Sequence, residues 1–194
     1  HRLKPFIKKS HVCEQIYFDI NEWINSQDLI LKKIKQKFDE KIIIRSSSLE
    51  EDSWQNSMAG SFLSVKDINT NDTRKIIDGV EEVIKSYTKK GSEENLFNQV
   101  LIQPYISNVS VSGVVFSKTL EDGTPYFCIS YDNLSKATDR VTSGNSNQIK
   151  TYTIYRGCDR NKLNPLLQKI IISVDELESI LEYSSLDIEF IIDE

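Results

Sequence analysis

The chain has 194 residues, 39% of them hydrophobic and 27% charged, with a formal net charge of −5. This is ordinary for a globular protein of one large domain or two small lobes, long enough to bury a core. The acidic balance argues against a general nucleic-acid surface, which needs a basic footprint, and no apolar run approaches the roughly 18 residues of a membrane span.

The N-terminal stretch HRLKPFIKKSHV has neither the apolar segment nor the small-residue cleavage site of a secretory signal. Cys13, Cys128 and Cys158 are far apart and lack CxxC spacing, which speaks against a disulfide framework or a zinc site and for a reducing cytoplasm. His11 and Cys13 have no further ligand near them in sequence and read as an incidental pair. QIYFDI opens with a short extended piece. Asp19 or Asn21 then caps a helix through Phe38, with apolar positions Trp23, Ile24, Ile30, Leu31, Ile34 and Phe38. Residues 41–45 and 61–66 read as strands. A helix follows Thr70-Asn-Asp-Thr73, with Ile76, Ile77, Val80, Val83, Ile84 and Tyr87 as its apolar stripe and Gly91 as a left-handed cap.

Strands are predicted next at 99–105, 111–117, 125–131 and 148–155, rich in β-branched and aromatic residues and separated by turn sequence such as Glu121-Asp-Gly-Thr124. Two helices are expected at about 160–172 and 175–183, the second capped by Ser173 or Asp175, and a last strand at 186–192. The fold class is α+β: mainly antiparallel sheet with flanking helices, in two lobes of residues 1–95 and 96–194.

Four stretches carry residue types suited to chemistry, each with a plainer reading beside it. Arg45-Ser-Ser-Ser48, followed by Glu50, Glu51 and Asp52, sets a planar cation and hydroxyl donors at a strand end. That suits phosphate oxygens, or equally a capping box at Ser48 and Glu51. Gly60, among small residues at 57–64, permits close backbone approach to a ligand, or simply a turn into a strand. Gln103 before Pro104 presents an amide for a base edge, or ends an edge strand. Asp187 and Glu189, two apart on a strand, put both carboxylates on one side, as a Mg²⁺ site or as ion-pair partners.

In order and spacing these stretches resemble the ATP-binding domain of the phosphoenolpyruvate synthase and pyruvate phosphate dikinase family, which rifampicin phosphotransferases share. The matching segments are IIIRSSSLEED (42–52), SMAGSFLSV (57–65), VLIQPYI (100–106), SGVVFS (112–117), DRVTSG (139–144) and LDIEF (186–190). The resemblance implies an ATP-grasp fold with ATP held between two lobes, and ATP and Mg²⁺ as cofactors. It places Arg45 on the ATP phosphates, Gly60 in a loop against them, and Ser64 where the family often has threonine. It places Gln103 at the adenine edge, Glu189 on Mg²⁺, and Asp187 in support of it.

NQVLIQPYISNVSVSGVVFS and YDNLSKATDRVTSG look like kinase-type members found with capsule and surface-polysaccharide biosynthesis, of which L-glutamine kinase is one activity. The implied reaction passes a phosphoryl group from ATP through a phosphohistidine on another domain of the same polypeptide to a small-molecule acceptor. AMP and phosphate are released. A phosphoenolpyruvate synthase, an antibiotic phosphotransferase, a carboxylate–amine ligase and a non-catalytic nucleotide-binding module stand as alternatives. No nucleic-acid or membrane partner is implied. The family's N-terminal phosphate-binding lysine segment and its Leu-Gln-x-Arg-Pro segment after the last strand are missing, as is its phosphate-carrying histidine. By this reading the chain is an excised piece of a larger multidomain enzyme, inactive in isolation.

Overall fold

The computed structural model describes residues 3–47, 63–88, 95–133 and 149–193. They form two compact units, residues 13–106 and residues 3–12 with 107–193. Each unit contains a four-stranded antiparallel sheet with its own helix-covered core.

The first unit contains β1 (Ile16–Asp19), α1 (Ile20–Lys37), β2 (Lys41–Ser47), β3 (Ser64–Asn69), α2 (Thr73–Thr88) and β4 (Gln99–Pro104), with strand order β1-β4-β2-β3. Asp19 caps α1 in a reciprocal capping box. The Glu22 N–H donates to Asp19 Oδ1 at 2.7 Å, and the Asp19 N–H donates to Glu22 Oε2 at 3.1 Å. The apolar stripe of α1 buries Trp23, Ile30, Leu31 and Ile34, with Phe38 beyond its end. Ile24, expected on the same stripe, is 64% exposed. Ser26 leaves helical geometry (φ −144°, ψ 32°) and kinks the helix, so the turn carrying Ile24 is out of phase with the rest. Along α2, Ile76, Val80, Val83 and Tyr87 are buried as the periodicity predicts. These side chains close over Ile42, Ile44, Ile68, Val100 and Ile102, the alternate residues of the sheet.

The sequence-based partition put the strand at 99–105 in the second lobe. The structure puts β4 in the first unit, hydrogen-bonded between β1 and β2. Its turn-like flanks carry no sign of which neighbours it pairs with, and the pairing decides.

The second unit contains β5 (Val109–Phe116), β6 (Tyr126–Asp132), β7 (Lys150–Tyr155), a 3₁₀ turn (Arg160–Lys162), α3 (Pro165–Leu181) and β8 (Asp187–Asp193), with strand order β7-β6-β5-β8. A single helix replaces the two expected over 160–183. Asn164 caps it, accepting from the Leu167 N–H at 2.9 Å, and Pro165 occupies its first turn. The Ser173 hydroxyl, expected at a second cap, bonds back to the Lys169 carbonyl at 3.0 Å within the continuous helix. Leu167, Ile170, Ile171 and Val174 pack on Val115, Phe127, Ile129 and Ile154. The segment before residue 12 is tied to α3: the Lys8 and Lys9 N–H groups donate to the Glu176 carboxylate at 2.9 and 2.8 Å.

Candidate functional site

The first unit's sheet has one face given to its core and one that carries both polar and apolar side chains. Because side chains alternate, Ile42 and Ile44 face the helices while Ile43 and Arg45 face away. The register opposes Arg45 to Leu101 and Ile43 to Gln103 across β2–β4, and Tyr17 to Leu101 across β1–β4. Arg45, Gln103, Ile43, Leu101 and Tyr17 therefore share one face. Arg45, Ile43, Leu101 and Gln103 are half-buried there, and Tyr17 is 60% exposed.

Ser64 joins this face through a β-bulge. Ile42 pairs with Ile68 but Ile44 pairs with Val65, so β3 carries one extra residue. Asp67, in the bulge, takes a left-handed conformation (φ 60°), tolerated by aspartate better than by most side chains. An unbulged ladder would set Val65 opposite Arg45. The bulge sets Ser64 there instead. The end of the face is braced from α2: the Ser47 N–H donates to Tyr87 Oη at 3.0 Å, and Tyr87 Oη donates to the Gln99 carbonyl at 2.5 Å.

In the second unit, Asp187 and Glu189 are exposed residues of β8, while Ile188, Phe190 and Ile192 pack on the core. This explains how apolar neighbours coexist with two carboxylates: the strand alternates. Glu189 pairs with Val114, and Asp187 with Phe116. Ser112 and Asp132 are directly paired on the same face, and they are only 2% and 3% exposed. Sequence reading passed over Asp132 because the β6 strand was ended at Tyr131. The signal was present: Cys128, Ser130 and Asp132 alternate with Phe127, Ile129 and Tyr131.

Gly60, Ser48 and Gly91 lie outside the described residues, as does the DRVTSG segment. Among the described residues no group of three or more His, Cys, Asp or Glu is placed to hold a metal ion. Asp187 and Glu189 nonetheless offer hard carboxylate oxygens on one strand face, the donor chemistry Mg²⁺ takes when it keeps waters and substrate phosphates as its other ligands.

Compared with known families, residues 1–142 match the model of the pyruvate phosphate dikinase AMP/ATP-binding domain. The chain belongs to that family. A search of curated proteins returned no match. Among solved structures, a D-alanine–D-alanine ligase from Helicobacter pylori is similar over 100% of this chain and 48% of its own, with TM-score 0.50 and 17% identity. ATP citrate lyases from Methanosaeta concilii, in complex with (3S)-citryl-CoA, and from Methanothrix soehngenii, in complex with citrate and coenzyme A, each align over 93% of this chain. They align over 40% and 41% of their own chains, at TM-scores 0.47 and 0.49 and 12% identity. The chain thus spans about half the length of the ligase or less of each such neighbour. The dikinase-type domain has the expected ATP-grasp-like α+β fold. Among its described residues no helix is long and apolar enough to cross a membrane.

Proposed function

We propose that this domain binds ATP and Mg²⁺ for a phosphotransferase that works through a phosphohistidine carried elsewhere on the same polypeptide. The observation that carries the reading is the shared sheet face. A cation, a hydroxyl and an amide (Arg45, Ser64 and Gln103) emerge on one side of a sheet whose other side buries Ile42, Ile44, Ile68, Val100 and Ile102 in the core. Membership of the dikinase nucleotide-binding family supports it.

In this reading the Arg45 guanidinium holds phosphate oxygens through paired donors, and the Ser64 hydroxyl adds a neutral donor beside it. Gly60 contributes backbone that approaches the phosphates closely. Gln103 reads the adenine edge, with Ile43 and Leu101 as apolar neighbours on the same face. Glu189 holds Mg²⁺, with Asp187 supporting it. When bound, the ion neutralises phosphate charge that would otherwise oppose transfer. Positioning and charge compensation are the contributions of these residues.

A histidine nitrogen attacks the β-phosphorus, the α–β bridge breaks and AMP leaves. Water then releases the γ-phosphate, and the retained phosphoryl group passes to a small-molecule acceptor. We favour an amide acceptor of the L-glutamine type, on the likeness of residues 98–117 and 131–144 to the capsule-associated kinases. The protein acts in the cytoplasm, where ATP is available.

The test uses ATP labelled at the β-phosphate, with Mg²⁺ and no acceptor, on the full-length polypeptide. Label on a histidine with AMP released supports the proposal. ADP with unlabelled protein contradicts the relay and points to ligase or direct kinase chemistry. An acceptor screen beginning with L-glutamine, then pyruvate, identifies the second substrate.

A further inference from the structure

Among the described residues β8 is an edge strand, paired on one side to β5. Its register matters more than that of an inner strand. A slip of one residue would turn Asp187 and Glu189 into the core and Ile188 and Phe190 out to solvent. The far end of the β5–β8 ladder is irregular, with a register shift between Val109 and Val111. The near end is held by a side chain.

Ser117 follows β5 directly and is 0% exposed. Its N–H donates to the Leu186 carbonyl at 2.9 Å, and its Oγ accepts from the Leu186 N–H at 2.8 Å. Both backbone groups of the residue before Asp187 are therefore held by Ser117. The Ser117 carbonyl and the Glu178 carboxylate on α3 are both bound by Arg156. Glu178 is gripped by both Arg156 terminal nitrogens, with Nη1 to Oε1 at 2.9 Å and Nη2 to Oε2. Arg156 Nη1 also donates to the Ser117 carbonyl at 2.8 Å, and the guanidinium lies 4.3 Å from the centre of the Phe127 ring. Asp175 lies 3.6 Å from Arg156 Nη2 and pairs with Arg160.

A buried ion pair is weak evidence for stability, because apolar residues of similar volume often serve as well. What apolar residues could not do is bind the Ser117 carbonyl and so hold the residue that carries Oγ. Arg156 does this, with Glu178 holding its guanidinium in place. We infer that Ser117, oriented by Glu178 and Arg156, is a positioning residue that locks β8 in the register that presents Asp187 and Glu189 to Mg²⁺. This rests on the reading of those two carboxylates as the metal ligands.

The experiment measures ATP affinity of the full chain with and without Mg²⁺, together with amide hydrogen exchange along β8. Glu189→Gln should abolish the Mg²⁺-dependent gain in affinity. Ser117→Ala should reduce that gain about 10- to 100-fold, the range found for residues that orient metal ligands, while Mg²⁺-free affinity stays the same. Exchange at Leu186 through Glu189 should quicken. Ser117→Thr, which keeps the hydroxyl, should restore most of the gain. If Ser117→Ala loses cooperative unfolding, Glu178→Gln takes its place, with the same expectation. A Mg²⁺ response untouched by Glu189→Gln overturns the metal assignment. A response lost in Glu189→Gln but kept within twofold in Ser117→Ala or Glu178→Gln overturns the positioning role alone. Equal loss of Mg²⁺-free and Mg²⁺-bound affinity would assign Ser117 to general stability and also overturn it.

Discussion

Arg45 and Ser64 face each other across β2 and β3 because Asp67 adds one residue to the ladder between them. Removing the conformation that permits this bulge should separate the pair. Asp67→Val places a β-branched residue at φ 60°, which costs about 1–2 kcal/mol of backbone strain, and ATP affinity should fall with it. Asp67→Gly should keep both stability and affinity, since the lost ion pair with Lys41 is exposed on both sides and contributes little. Thermal unfolding and an ATP titration of the two variants check this.

Gln103 stands two residues beyond Leu101 on β4, on the same face as Arg45. If its amide reads adenine, Gln103→Ala should weaken ATP binding by roughly 2- to 12-fold, the range of one neutral hydrogen bond. Discrimination against GTP should narrow, and the Mg²⁺ response should not change. Competition titrations with ATP and GTP report all three quantities.

Gly113 marks where β5 lies tightest against its neighbours. A Cβ there would stand 2.5 Å from the Ser130 carbonyl oxygen and 2.7 Å from Phe190 Cζ. The carbonyl belongs to the sheet and cannot swing aside. Gly113→Ala should therefore cost about 1–3 kcal/mol, as overpacking does. That lowers Tm by about 2–12 °C for a chain of this size. Calorimetry of this single variant checks the register of β5 between β6 and β8.

Strand alternation and the α2 stripe were legible because their apolar residues recur at the period their burial demands. Val80, Val83, Ile42 and Ile44 are all fully buried. The α1 stripe was readable except where Ser26 breaks phase and exposes Ile24. The residue types of the candidate site were readable too. Their sharing of a face was not, because it depends on pairing: β4 between β1 and β2, and a bulge at an aspartate rather than a glycine. Likewise nothing local marks Ser117, Arg156 and Glu178 as one network, since they meet from just beyond β5, just beyond β7 and from α3, across a separation of 61 residues. The single helix over 165–181 was split by its polar Ser173 and Asp175, which the fold employs within the helix instead.

The same network predicts an acid limb in stability. Burial opposes ionisation of Glu178, but the hydrogen bonds from Arg156 and Ser117 and the Arg156 charge outweigh it, holding the carboxyl below the usual glutamate range. A carboxyl lowered in the folded state stabilises fully above its unfolded pKa. That stabilisation is lost as pH falls through the folded value. Tm should drop as pH falls through and below the usual glutamate range, with a contribution that Glu178→Gln removes, so the variant's acid limb is shallower than that of the unchanged protein. An identical slope in both would assign the acid sensitivity elsewhere.

The assignment of the Arg45 face to ATP phosphates is tested most directly by an ATP titration of the full chain with Mg²⁺, repeated for Arg45→Ala and Lys41→Ala. Both changes remove one positive charge from β2, but Lys41 is exposed at the strand's far end and paired with Asp67. Arg45→Ala should weaken binding by roughly 10- to 150-fold, the range of a hydrogen bond to a charged group, while Lys41→Ala changes it by less than about twofold, as a screened surface charge should. Equal, small effects of the two substitutions would contradict the assignment of this face to the phosphates.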